Sequence, residues 1–323
     1  MKNIIEKLEK QIYEGKSIDF NEAIELSKVE DLDKLFEGAN RIREKCMGNK
    51  VELCSIINAK SGRCSEDCKY CAQSCHYNTN VDEYELIDFN KALKRAKENE
   101  EHGVHRFSLV TSGRALQGND FEKLLDIYKK LKVNTNLKLC GSFGILTYEN
   151  LKKLKEVGME AFHHNLETSR EYFNKICSTH TYEDRIKTIK NAQKAGLKVC
   201  SGGIIGMGET MVDRINMAID LQKLNIKSIP INILTPIKGT PLENRERLSY
   251  EEILKTIAIF RFINPNAYIR YAGGRGQLQD FGKKGFMSGI NAALTGNYLT
   301  TTGNNIEDDI HMIKSLGLEV EKL

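Results

Sequence analysis

From residue 51 onward, short apolar runs alternate with charge-rich helical segments almost to the end of the chain, and few folds accommodate that alternation. Strands are expected at Val51–Asn58, His105–Thr111, Leu137–Phe143, Ala161–Leu166, Leu197–Ile205, Ile226–Leu234 and Ala267–Tyr271, with Asn291–Thr295 a weaker candidate. Helices are expected between most of them, as at Phe89–Glu101, Tyr148–Val157, Tyr182–Ala195 and Glu209–Leu224. Gly103, Gly158 and Gly196 each close a helical segment just before the next strand, as a C-terminal glycine cap does. Repeating β–α units imply parallel strands joined by right-handed crossovers. The first fifty residues read instead as helices Lys2–Tyr13, Phe20–Lys28 and Asp31–Cys46, the last opened by an Asp cap. No Pro-, Gly- or Ser-rich linker divides the chain. The expected architecture is α/β: an N-terminal helical extension over residues 1–50, then a (β/α)8 TIM-type barrel with a C-terminal tail over 51–323.

Side chains on a strand alternate between its two faces. One parity is aliphatic: Phe107 and Leu109, Leu137 and Leu139, Leu197 and Val199, Ile231 and Ile233, Ile269 and Tyr271. These should face the outer helices. The other parity holds Arg106 and Ser108, Lys138 and Cys140, Lys198 and Cys200, Asn232, and Arg270. Ordinary barrels fill the lumen with branched aliphatics. A polar, sulfur-bearing lumen is costly unless ligands pair its groups, so the interior is the expected active site. Taken singly, Cys140 reads as a packed core residue and a strand arginine as a solvated edge. The convergence of several such residues on one parity outweighs those readings.

A second feature is Cys64, Cys68 and Cys71, spaced CxxxCxxC with Tyr70 before the last cysteine. Iron–sulfur clusters are normally held by four thiolates. A cubane held by three leaves one iron open, which separates a reactive site from a structural one. A zinc ribbon would want a second tight cysteine pair or paired histidines; His76 is near, but no such pair follows. A disulfide framework fits poorly with nine cysteines, a long chain and no secretory signal. Cys75 extends the run and reads either as a fourth ligand or as a free thiol.

The spacing resembles the signature of the radical S-adenosylmethionine (SAM) superfamily, in which the open iron is chelated by SAM. More specifically, the chain resembles the biotin synthase family. The resemblance is carried by Ile56-Ile-Asn-Ala-Lys-Ser-Gly62, Cys140-Gly-Ser-Phe-Gly144, His164-Asn-Leu-Glu-Thr-Ser169 and Cys200-Ser-Gly-Gly-Ile-Ile-Gly-Met-Gly-Glu209. It continues through Pro230-Ile-Asn232, Lys238-Gly-Thr-Pro-Leu242 and Ile269-Arg270-Tyr-Ala-Gly-Gly-Arg275.

That resemblance implies the last step of biotin biosynthesis. An electron passes through a [4Fe-4S] cluster on Cys64, Cys68 and Cys71 into SAM, giving methionine and a 5′-deoxyadenosyl radical. The radical takes hydrogen from dethiobiotin, and sulfur enters from an auxiliary cluster, [2Fe-2S] by resemblance. The resemblance implies that Cys140, Cys200 and Arg270 serve that cluster as ligands. It places Asn165 and Glu167 at the SAM ribose, Arg185 at the SAM carboxylate, Tyr70 beside the cluster and adenine, and Asn232 at the dethiobiotin ureido ring. Alone, Asn165, Glu167 and Asn232 read equally as loop or cap residues, and Tyr70 as core. A flavodoxin or ferredoxin donor and a homodimer are further implications.

Two positions depart from the family pattern. Where relatives place a third auxiliary cysteine, this chain has Ser108, a harder donor than thiolate. Ser108 itself, Cys75 or Cys177 are the candidates to complete that site, while Cys46 and Cys54 read as structural. His163 stands beside His164, where some relatives have asparagine. The competing readings are a radical SAM relative acting on another small molecule, and a non-catalytic zinc-binding interaction protein.

Composition is that of an ordinary soluble globular protein. Hydrophobic residues make up 40% and charged residues 28%, and the net charge of +4 is too mild to argue for nucleic acid. No apolar run approaches a membrane span, and free cysteines without an export signal point to a reducing cytoplasm.

Overall fold

The structure, a computed structural model, describes residues 4–296 and 305–321. Three helices come first: α1 (Ile4–Tyr13), α2 (Phe20–Ser27) and α3 (Leu32–Met47). The expected first helix began at Lys2, and its positions 2 and 3 lie outside the described residues. Asp19 opens α2 with a capping box to Glu22, and the Asp31 carboxylate accepts from Lys34 N at the start of α3.

The barrel strands are β1 (Lys50–Lys60), β2 (Arg106–Thr111), β3 (Lys138–Ser142), β4 (Ala161–His163), β5 (Lys198–Cys200) with its continuation β6 (Gly203–Ile205), β7 (Ser228–Ile233), β8 (Tyr268–Tyr271) and β9 (Ala292–Leu294). Every neighbouring pair is parallel, and β9 pairs with β1, so eight strand positions close the ring. The weaker sequence candidate at Asn291–Thr295 is thus the strand that closes the barrel. A short β10 (Glu319–Val320) adds to the start of β1 outside the ring. Around it run α4 (Phe89–Glu101), α5 (Gly118–Asn134), α6 (Tyr148–Glu156), α7 (Arg170–Ile176), α8 (Tyr182–Lys194), α9 (Met211–Lys223) and α10 (Tyr250–Ile263), then α11 (Lys283–Phe286) and α12 (Ile306–Ser315). The first three helices pack on this ring, α2 against α9 and α3 against α10. No helix among the described residues is long and apolar enough to cross a membrane.

Every expected strand but the first is trimmed at an end, and two are cut back further. The run Leu197–Ile205 breaks at Ser201 and Gly202, facing Pro230 of β7, which has no N–H for a ladder. The backbones approach so closely there that a Cβ on Gly202 would lie 2.0 Å from the Pro230 carbonyl oxygen. The strand expected at Ala161–Leu166 ends at His163, although His164 N still donates to Cys200 O and Leu166 N to Gly202 O.

Phe107, Leu109, Leu139, Ile231, Ile269 and Tyr271 are buried in the main core, as their parity requires. Each such side chain contributes about 2 kcal/mol on leaving water. The opposite parity frames the lumen, with one exception among the lysines. Lys198, which starts β5, is exposed yet reaches the cavity rim, whereas Lys138, which starts β3, is half-buried and does not line the cavity.

Candidate active site

A cavity of about 870 Å³ runs through the barrel, lined at one end by Cys64, Cys68 and Cys71 and deeper in by Cys54, Cys140, Cys200 and Arg270. The three-cysteine loop leaves β1 and folds onto itself. Cys64 N donates to Gln73 O (2.9 Å), Cys75 N to Cys64 O (2.8 Å) and Cys71 N to Cys68 O (2.9 Å). His76 Nε2 meets Ser65 O at 3.0 Å, which pins the loop from outside. Cys75 is exposed and does not line the cavity. Three soft thiols on one short loop, all opening on one cavity, suit an iron–sulfur cluster. Burial pushes the Cys71 thiol up to about 11, so a metal would have to displace its proton on binding.

Next to this loop lie the residues expected to hold SAM. Arg185 on α8 is buried. Its Nη1 donates to Asn165 O (3.0 Å) and stands 3.5 Å from Glu167 Oε1, and its Nε donates to His180 Nε2 (3.1 Å). Asn165 Nδ2 donates to Glu167 Oε2 (3.2 Å), while Asn165 Oδ1 accepts from Gly202 N (3.1 Å). Glu167 has φ +73°, a region non-glycine residues seldom occupy, and its backbone is held there by Gly203 opposite it. Such strain costs on the order of 1–3 kcal/mol and gathers at functional sites. Tyr70 lines the cavity, and burial first, with Cys68 and Glu167 adding to it, raises its hydroxyl well above the ordinary range.

His180 was not anticipated. Its Nδ1 lies 2.5 Å from Glu66 Oε2, and Glu66 also receives Arg114 Nη1 (3.1 Å). Glu66 sits within the cysteine loop, so His180 connects that loop to Arg185. Arginine only donates, so His180 Nε2 accepts and its proton sits on Nδ1, facing Glu66. The available signal was the shared turn Thr179-His180-Thr181, five residues before Arg185.

Deeper in the lumen, the geometry revises two expectations. Cys54, read as structural, lines the cavity on the same β1 parity as Glu52 and Ile56, in register with Arg106. Burial pushes its thiol up to about 12, Arg270 draws it down, and Cys140 pushes it further up. Cys177, a candidate to complete the auxiliary site, lies elsewhere: its Sγ is 3.8 Å from Cys68 Sγ, beside the three-cysteine loop. Ser108 does line the cavity, in register with Cys140 on β3.

The charges of the lumen pair with one another. Arg106 Nε donates to Glu52 Oε2 (2.6 Å), and its Nη1 points to Cys140 Sγ (3.7 Å). Arg270 Nη2 donates to Glu52 Oε1. Burial alone would raise the Glu52 carboxyl, but Arg270 and then Arg106 outweigh it and hold it at about 2. Burial opposes the charge on Arg270, and Glu52 more than restores it. Cys200 Sγ accepts from Ser228 Oγ (3.3 Å). His163 lines the same wall, and burial brings it down to about 4, so it is neutral. Asn232 donates from Nδ2 to Gly203 O (3.1 Å) and accepts from Gly273 N at Oδ1 (2.9 Å), which fixes the amide's orientation at the cavity wall.

Comparison with known proteins agrees with this layout. Residues 59–221 match the Radical SAM superfamily, and residues 230–319 match the Biotin and Thiamin Synthesis associated domain. Among solved structures, methylornithine synthase (PylB) superposes with a TM-score of 0.84 at 20% identity, over 98% of this chain and 97% of that one. The [FeFe]-hydrogenase maturase HydG gives 0.83 at 19% identity, over 98% and 74%. At those identities the likeness is one of fold. Sequence relatives are much nearer. The biotin synthase of Clostridium tetani is 63% identical over 99% of this chain and 100% of its own length. That of Acetivibrio thermocellus is 58% identical over 97% and 98%, and that of Clostridioides difficile 55% identical over 99% and 100%. On these grounds the chain belongs to the biotin synthase family of radical SAM enzymes.

Proposed function

We propose that the chain converts dethiobiotin to biotin, with Cys64, Cys68 and Cys71 holding the [4Fe-4S] cluster and a second sulfur-bearing cluster held deeper in the same lumen. The observation that carries this reading is the convergence of Cys54, Cys140 and Cys200 on one cavity with the three-cysteine loop at its mouth. A sulfur donor must lie within reach of the carbon that loses hydrogen, and a shared cavity supplies that proximity.

When bound, the loop cluster and SAM supply one-electron chemistry that generates a carbon-centred radical; the protein positions the reactants and excludes water. Arg185 offers a fork of donors to the SAM carboxylate, with the surplus charge balanced by Glu167 at 3.5 Å. Glu167 offers a carboxylate to the ribose diol, and Asn165 fixes its rotamer. Tyr70 packs beside the adenine. Asn232 faces the ureido edge with an amide whose orientation is already set. His163, neutral at working pH, adds no charge to the wall between Cys200 and the SAM pocket.

We read Cys54, Cys140 and Cys200 as the thiolate set of the auxiliary cluster and Ser108 as a lining residue. Thiolates are the better donors for an iron–sulfur site, and Cys54 supplies the third that position 108 lacks. Arg270 remains, by family resemblance, the proposed arginine ligand of that cluster, steered by its bond to Glu52, and Arg106 is a countercharge to the Cys140 thiolate. From the family resemblance we also propose a flavodoxin or ferredoxin donor, a homodimer and a cytoplasmic setting.

The test is turnover of anaerobically reconstituted protein with dithionite, SAM and dethiobiotin. Biotin formation is the expected result. Formation of 5′-deoxyadenosine without biotin would assign the barrel to another substrate, and stoichiometric zinc in a colourless protein would remove the enzyme reading altogether.

A further inference from the structure

Cys177 is buried at the end of α7, 109 residues away from Cys68 in sequence, yet its Sγ lies 3.8 Å from Cys68 Sγ. The approach is built rather than incidental. Lys69 N donates to Ile176 O (2.9 Å), and Asp67 Oδ1 accepts from Ser178 N (2.9 Å) and Thr179 N (3.2 Å). Thr179 Oγ1 donates to Glu66 Oε2 (2.9 Å), and Ser178 Oγ donates to Asp67 Oδ2. These bonds clamp segment 176–180 onto the cysteine loop from both sides of Cys177. The sulfur has no freedom to stand elsewhere.

We infer that Cys177 donates an S–H hydrogen bond to the Cys68 thiolate and thereby sets the reduction potential of the loop cluster. The inference rests on the reading of Cys64, Cys68 and Cys71 as cluster ligands. A ligand cysteine is a thiolate and can only accept, so the proton between the two sulfurs belongs to Cys177. The nearer acceptors around Cys177 are already engaged: Thr179 Oγ1, at 3.6 Å, takes Asp67 N, and its own proton is shared between Glu66 Oε2 and Asp67 Oδ1 (3.1 Å). Asp67 Oδ1, at 3.3 Å, takes two backbone N–H groups, and His180 Nδ1, also at 3.3 Å, carries its own proton because Nε2 accepts from Arg185. Cys68 remains as the acceptor with spare capacity.

Hydrogen bonds to cluster sulfurs are among the levers that set iron–sulfur potentials. A donor stabilises the more negative, reduced state more than the oxidised one, so the bond raises the potential. The electron that starts each turnover then enters more readily. Cys177 touches neither SAM nor the reacting carbon; it acts through Cys68.

The test is a redox titration of anaerobically reconstituted full-length protein, monitored by electron paramagnetic resonance, with iron and sulfide measured on each sample. The signal that SAM addition alters identifies the loop cluster. Cys177→Ala is expected to retain its iron and to show a more negative midpoint. Cys177→Ser, whose shorter C–O bond draws the donor back, is expected to fall between alanine and the parent, and it serves alone if the alanine variant does not fold. A midpoint equal to the parent's, or more positive, at full iron content overturns the inference. So does loss of the loop iron in both variants, which would make the thiol part of the assembly of the site. A parent protein without iron would instead overturn the reading of Cys64, Cys68 and Cys71.

Discussion

Arg270 on β8 and Glu52 on β1 form an ion pair across β9, where Ala292 is in register with both. A single methyl between them lets the two long side chains meet inside the lumen. Arg106, half-buried, donates to the same carboxylate from β2, so one buried anion balances two cations.

Replacing Glu52 by glutamine would leave two guanidinium groups without their counterion. Removing one partner of a buried pair costs about 3–5 kcal/mol, and chemical denaturation of the Glu52→Gln protein should register a loss of that size. The pH dependence has a defined sign. The Glu52 carboxyl falls from an ordinary 4.5 to about 2 on folding. Its stabilisation, about 3 kcal/mol, is therefore present above pH ~4.5 and disappears as pH falls towards ~2. The difference between parent and variant should shrink across that window. A constant difference from pH 7 to 2 would contradict the assignment.

Cys54→Ala should remove auxiliary iron and sulfide while leaving the loop cluster in place. Biotin formation is expected to drop by at least about 100-fold, since loss of a soft ligand from a three-thiolate site is not offset by nearby oxygen donors. Ser108→Ala, in the same assay, should keep its auxiliary iron. Metal and sulfide analysis of the two variants side by side decides between thiol and hydroxyl, and iron lost only from the serine variant would reverse the assignment.

His180 positions Arg185 by accepting its Nε–H. A hydrogen bond to a charged group is worth about 1.5–3 kcal/mol, so His180→Ala should raise the KM for SAM by about tenfold or more. Here kcat at saturating SAM should change little, because the side chain acts on binding geometry. Cleavage of SAM to 5′-deoxyadenosine, followed over a range of SAM concentrations, separates the two parameters. His180→Gln, which keeps a donor and an acceptor, should recover part of the loss.

Most of the barrel was legible because its signals are local. Strand parity at Phe107, Leu139 and Ile269, and the glycine caps at Gly103, Gly158 and Gly196 (φ +78°, +99° and +79°), depend on near neighbours in the chain. The break at Gly202 was not legible, since it arises from contact with Pro230 on another strand. The candidate site divides along the same line. Cys64, Cys68 and Cys71 announce themselves by spacing, and Cys140, Cys200 and Arg270 by parity. Cys54 lies on β1, where the same parity places Glu52 and Ile56 in the lumen, but a strand with a single cysteine among aliphatics reads as core. The opposite error befell Cys177. Its partner is set by how the loop after α7 folds back onto the cysteine loop, a tertiary fact that no spacing records.

The central claim is that the early cysteines hold an iron–sulfur cluster whose task, cleavage of SAM, is separate from that of the thiols deeper in the lumen. Its most direct test is 5′-deoxyadenosine formation from SAM and dithionite by anaerobically reconstituted Cys68→Ala and Cys200→Ala proteins. The account predicts none from Cys68→Ala, and continued cleavage without biotin from Cys200→Ala. Cleavage at the parent rate by Cys68→Ala, or equal loss in both, would contradict it.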